Sequence, residues 1–193
     1  MTFTLNHFVR CIYAATLLSV TCGYAQAADN LDVTFTANIR ETTCDMAISG
    51  GTGNGTNNTI TLGTSGKTRI DTIATGTATT DFKLVLTECP SSLTSLKTTV
   101  SGSVSNLMNT AIANNIASAS GGASYVGVSI ARSSAPTTPF EINSTDDSKR
   151  IVWTPGEITA KEVPLTAKLV ETQASSATTG AFSAVATFNF YYE

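Results

Sequence analysis

The chain has 193 residues, eleven Lys/Arg against fourteen Asp/Glu, and a formal net charge of −3. This length suits one ordinary domain with a real core, and the mildly acidic balance leaves no basic footprint for nucleic acid. The single histidine, His7, lies at the extreme N-terminus, so the body of the chain has no Ser–His or Cys–His pair and no imidazole metal ligand.

Residues 1–27 read as a secretory signal. Arg10 and His7 give a short basic start, and residues 12–20 form an apolar run too short to span a bilayer comfortably. Ala25-Gln26-Ala27 is a small-x-small cleavage site, which places the processed start near Ala28. A buried helix is one alternative. A lipidation signal at Cys22 is another, fitted poorly by Ser19-Val20-Thr21. No later apolar run reaches spanning length, so no direct membrane insertion is expected. Cys11 and Cys22 leave with the signal. Cys44 and Cys89 are then the only pair in a chain bound for an oxidising compartment. One disulfide is expected, worth roughly 4 kcal/mol for the loop it closes; two free thiols are the alternative.

Leu31, Val33, Phe35, Ala37 and Ile39 alternate with polar residues. Period 2 puts all five on one face of an extended strand. Met46-Ala47-Ile48 reads as a short strand, and the Gly/Asn-rich tract 49–58 as a loop. A phosphate cradle there would need a following Gly-Lys-Ser/Thr, which is missing. Thr59–Gly63 alternates as a strand ending at glycine, and Phe82, Leu84 and Leu86 alternate towards Cys89-Pro90. Residues 98–102 continue the β character. Residues 105–119, with Leu107, Met108, Ile112 and Ile116 among alanines, read as a helical turn or an irregular connection. Val126, Val128 and Ile130 make a strand, and Pro136 and Pro139 bracket a turn.

The loop 143–148 carries Asp146 and Asp147, but it lacks the further oxygen ligands, glycine and distal glutamate of a calcium loop. Trp153–Gly156 reads as a turn, Val163, Leu165, Ala167 and Leu169 as a strand, and Ala186, Phe188, Phe190 and Tyr192 as a terminal strand. Seven or eight strands with little helix point to an antiparallel β-sandwich. Glu41, Asp45, Asp81 and Glu88 fall near strand edges without a spacing that singles out an acid–base pair, so no enzyme and no cofactor are expected.

Taken in order, these features resemble a pilin subunit of the chaperone–usher fimbriae, of the type 1 kind, close to the minor tip or adaptor pilins. The resemblance rests on Ala28-Asp29-Asn30 followed by the alternating stretch, on Lys83–Cys89 around the second cysteine, and on Val126–Ile130. Thr154-Pro155-Gly156 and the run Ala186–Glu193, with its penultimate tyrosine, complete it. Ala37 departs from the family, which usually has glycine at that donor position.

The resemblance implies an all-β, incomplete immunoglobulin-like sandwich completed by a strand from a neighbouring subunit. Residues 1–27 would be the signal, 28–41 the donor-strand extension and 42–193 the pilin domain. Leu31, Val33, Phe35, Ala37 and Ile39 would enter successive pockets of the next subunit, Ile39 first. Ala186, Phe188, Phe190 and Tyr192 would form the groove edge that a periplasmic chaperone covers until an outer-membrane usher exchanges strands. Residues 29–40 extend over roughly 40 Å, and burying four large apolar side chains would contribute roughly 6–12 kcal/mol. The contact would be head-to-tail and would propagate a cell-surface fibre supporting adhesion. The alternative is a self-contained secreted β-sandwich adhesin.

Overall fold

A computed structural model describes residues 43–54 and 57–192. The expected leader, residues 1–27, and the expected donor strand, Leu31 to Ile39, lie outside the described residues. Among the described residues the chain order is β1 (Asp45–Ser49), β2 (Thr52–Gly53), β3 (Asn58–Thr59), helix α1 (Ile70–Ala74), β4 (Thr79–Thr87), β5 (Leu96–Ser101), β6 (Val104–Ser105) and β7 (Met108–Ala113). A 3₁₀ turn (Ser118–Ser120), β8 (Val126–Arg132), β9 (Ile151–Val152), helix α2 (Pro155–Ala160), β10 (Glu162–Glu171) and β11 (Thr187–Tyr192) follow. The expectation of seven or eight strands matches the longer ones; the rest are two-residue pairings.

The large sheet runs β1-β4-β10-β8-β7-β6, and the smaller one β11-β5-β9. Alternation decides which face is buried. Phe82, Leu84 and Leu86 of β4 point into the core, as do Val163, Leu165, Ala167 and Leu169 of β10. The antiparallel register places Leu165 opposite both Phe82 and Arg132. The small sheet contributes Leu96, Thr98, Val100 and Ile151. Thr98 is wholly buried, and its hydroxyl accepts the indole N–H of buried Trp153 at 2.9 Å. This pairing removes the desolvation cost that either group would bear alone. Phe82 and Phe188, with ring centroids 6.0 Å apart, join the two sheets.

Three expectations are corrected. Residues 105–119 are not a helical or irregular connection throughout: they hold β7, which pairs with β8 through Ile112 opposite Val128, and only their end enters the 3₁₀ turn at Ser118–Ser120. Ala111 and Ile112 are completely buried there, and tertiary packing overrides the helix preference of the alanines. Trp153–Gly156 does not simply turn; it starts α2. Thr154 caps the helix by accepting the Glu157 N–H, and the Glu157 side chain accepts the Thr154 N–H in return. Residues 60–62 enter no ladder, although Asn58–Thr59 pairs briefly with Thr52–Gly53. Helix α1 had no sequence signal strong enough to announce it. Among the described residues, no helix is long and apolar enough to cross a membrane.

Candidate functional site

The sandwich is open along one side. A groove of about 1280 Å³ exposes part of the core between residues 60–62 and the segment leading into β11. Phe82 of β4, Ala167 and Leu169 of β10, and Val126, Val128 and Ile130 of β8 form its floor. These are the inward positions of three adjacent strands, so the sheet pattern that builds the core also builds the floor. Ile60 and Leu62 line one wall. The other is lined by Phe182, Ala184, Ala186 and Phe188, each half-buried, alternating with the exposed residues Ser183, Val185 and Thr187. Ile73 of α1 adds a further apolar surface.

The walls explain why residues 60–62 form no ladder. They border the groove, and no described strand forms a ladder with them, although the Thr61 carbonyl accepts the Thr80 hydroxyl of β4 at 3.1 Å. The same holds for β11, which pairs with β5 along one edge and with no strand along the other among the described residues. An apolar cleft between two such edges is a template for an added strand: the edges offer hydrogen bonds, and the floor offers pockets for alternate side chains.

Charge in the lining is limited to Lys67, Arg69 and Asp71. Arg69 donates to Asp71 at 2.8 Å and by that hydrogen bond holds its carboxyl below the usual range. No cluster of three or more metal-ligating side chains occurs among the described residues. The arrangement offers shape and apolar surface rather than acid–base chemistry.

The groove-edge residues expected from sequence divide into two groups. Ala186 and Phe188 line the groove. Phe190 and Tyr192 pack against the core outside that lining, and the Tyr192 hydroxyl donates to the Cys44 carbonyl at 3.2 Å. Cys44 and Cys89 are joined in a disulfide. The donor-strand residues Leu31, Val33, Phe35, Ala37 and Ile39 lie outside the described residues. The terminal strand expected to border the groove, residues 184–193, includes Ala184, which lines it; the sequence reading did not name Phe182, Ile60 and Leu62. A signal existed for Phe182, since its alternation runs unbroken into Ala184, Ala186 and Phe188.

Burial raises the Tyr192 phenol above its ordinary value. A raised acid in the folded state stabilises below its unfolded pKa, near about 10, and that contribution is lost as pH rises through the folded value. Tyr192→Phe is therefore expected to cost about 1 kcal/mol at neutral pH through the lost hydrogen bond. It should also lessen the destabilisation expected above about pH 10. Urea melts at pH 7 and pH 11 test both parts; an unchanged alkaline slope would exclude the phenol as its source.

The segment that forms the second wall is held from behind. The Asn114 side-chain amide donates to the carbonyls of Ala123 and Ala181, both at 2.9 Å, and its oxygen accepts from Ile116 at 3.1 Å and Ser183 at 3.0 Å. Backbone bonds add to this: Ala123 donates to Ala181 and Ala181 to Gly121, both at 2.9 Å, and Asn115 donates to Ser183 at 2.7 Å. Gly180 runs so close to the 121–123 loop that a Cβ there would lie 2.5 Å from the Ala123 nitrogen.

Comparison with known proteins gives a consistent answer. The family model described as fimbrial protein matches residues 24–193. The fimbrial-like protein YadM of Escherichia coli (strain K12) is 31% identical over 172 residues, covering 86% of this chain and 88% of the relative. Among solved structures, the P pilus rod subunit PapA aligns with a TM-score of 0.55 at 17% identity, over 84% of this chain and all of PapA. A chaperone–usher pilus structure aligns with a TM-score of 0.50 at 17% identity, over 86% of this chain and 98% of the other. These two likenesses establish the pilin fold.

Proposed function

The chain belongs to the fimbrial protein family and is a structural pilus subunit rather than an enzyme, and from that premise we propose that its groove accepts a strand from a neighbouring subunit during chaperone–usher assembly. Fimbrial subunits associate with one another and end in a surface fibre. In this reading residues 1–27 direct export, residues 28–41 form the donor extension, and residues 42–193 form the accepting domain. A periplasmic chaperone covers the groove after export, and an outer-membrane usher exchanges the covering strand for the donor strand of the next subunit.

The observation that carries this reading is the groove itself. It opens a floor of Phe82, Val126, Val128, Ile130, Ala167 and Leu169 between two wall segments that lack a neighbouring strand among the described residues. Left uncovered, such an edge invites aggregation, so a protein bearing it needs an occupant. The alternating face of Leu31, Val33, Phe35, Ala37 and Ile39 has the complementary period. Asp32, Thr34, Thr36 and Asn38 would face outward.

A fluorescent peptide of residues 29–40 tests the reading directly. The processed chain should take it up saturably, one per subunit, and a peptide carrying Phe35→Asp should bind at least tenfold more weakly because it places a charge against an apolar floor. Equal uptake of both peptides, or none of either, would sink the proposal.

A further inference from the structure

Resting on that strand-acceptor reading, we infer that Asn114 is a positioning residue for strand uptake: it holds the 180–183 wall at the distance an incoming strand needs, without touching that strand. Asn114 is half-buried and absent from the groove lining, whereas Gly180, Ala181, Phe182 and Ser183 all belong to it. Its amide uses both its donor and its acceptor side. The four bonds join three pieces of chain: the bend at 114–116, the loop at 123 and the wall at 181–183.

The position explains why a side chain is needed there. β11 begins only at Thr187, so residues 181–183 lie upstream of its regular ladder with β5. Their support comes from the Gly122–Ala181 bridge, the Asn115–Ser183 bond and Asn114. The Ala181 carbonyl accepts from both Ala123 and Asn114, and Ser183 N–H, two residues further along the same edge, donates to Asn114. A wall held this way is ordered before any strand arrives, so less ordering entropy is lost at the moment of entry. Once a strand has entered, its own ladder holds the wall, and the contribution of Asn114 becomes largely redundant.

That difference gives a readout that a purely structural role would not move. The processed chain and its Asn114→Ala and Asn114→Asp variants are mixed with the fluorescent peptide of residues 29–40. Uptake rates are measured, followed by thermal melts of the empty and the peptide-filled forms. Asn114→Ala removes all four bonds; Asn114→Asp keeps the acceptor but turns a carboxylate towards two carbonyls. Both variants should take up peptide about tenfold more slowly, while their filled forms melt within a few degrees of the unaltered filled form. Asn109→Ala, which removes only a bond to Glu141 at 2.7 Å outside the groove, should leave uptake unchanged.

Uptake by both Asn114 variants within twofold of the unaltered chain would overturn the inference, as would equal loss of stability in the empty and filled forms. If Asn114→Ala does not fold, Asn114→Asp decides the matter. No uptake by the unaltered chain would overturn the strand-acceptor reading itself, and this inference with it.

Discussion

Moving residues 29–40 to follow Glu193 through a flexible linker should raise the melting temperature by roughly 10–50 °C and suppress self-polymerisation. The estimate starts from the groove. Four large apolar side chains leaving water contribute roughly 6–12 kcal/mol, and for a domain of this size each kcal/mol moves the midpoint by roughly 2–4 °C. Relocation makes entry intramolecular, so the loop-closure cost replaces the larger cost of bimolecular association. The strand would cover Phe82, Val128 and Ala167 and would pair with the wall segments that lack a strand neighbour among the described residues. Differential scanning calorimetry of the processed and rearranged chains, with size-exclusion chromatography, decides the outcome. Equal melts with both proteins monomeric would mean that the sandwich is already complete.

Replacing Cys44 and Cys89 together by alanine should lower stability by roughly 2–5 kcal/mol and depress folding yield at 37 °C. The bridge joins residues 45 apart in sequence and clamps the start of β1 to the chain just after β4. There the register runs Asp45 opposite Thr87, Met46 opposite Leu86 and Ala47 opposite Val85. β1 is an edge strand of the large sheet, so without the bridge it is held by its five-residue pairing, the Thr87 hydroxyl bond to the Asp45 carbonyl and the packing of Met46 and Ile48. The Cys44 carbonyl also accepts the Tyr192 hydroxyl, so fraying at Cys44 should spread to the end of β11. Denaturant melts of the double variant, and of the unaltered chain with reductant, should agree. A change below about 0.5 kcal/mol, within the range of an ordinary surface substitution, would show that packing alone holds this end.

Much of the molecule was legible without coordinates. The alternations at Phe82–Leu86, Val126–Ile130, Val163–Leu169 and Ala186–Tyr192 each became a strand with those side chains turned inward or against the core. Successive side chains on an extended backbone point to opposite faces wherever the strand ends up, so burial can be read locally. The pairing of Cys44 with Cys89 was legible from the cysteine count once residues 1–27 are read as a leader, and the structure joins the two.

Strand neighbours are not a local property. Residues 59–63 and 105–119 were misread because their fate depends on what lies beside them. Ile112 became a strand residue because β8 offers an edge to it, whereas Ile60 and Leu62 border the groove and join no ladder among the described residues. Phe182 carried the right period, but only the packed sheets reveal that the wall extends back to it. Asn114 could not be singled out at all, because its amide reaches residues 67 and 69 positions away. The sequence by itself determined which faces are apolar and which cysteines pair. Tertiary structure alone decided where the sandwich stays open, because an opening is defined by the arrangement of distant strands and no single segment encodes it.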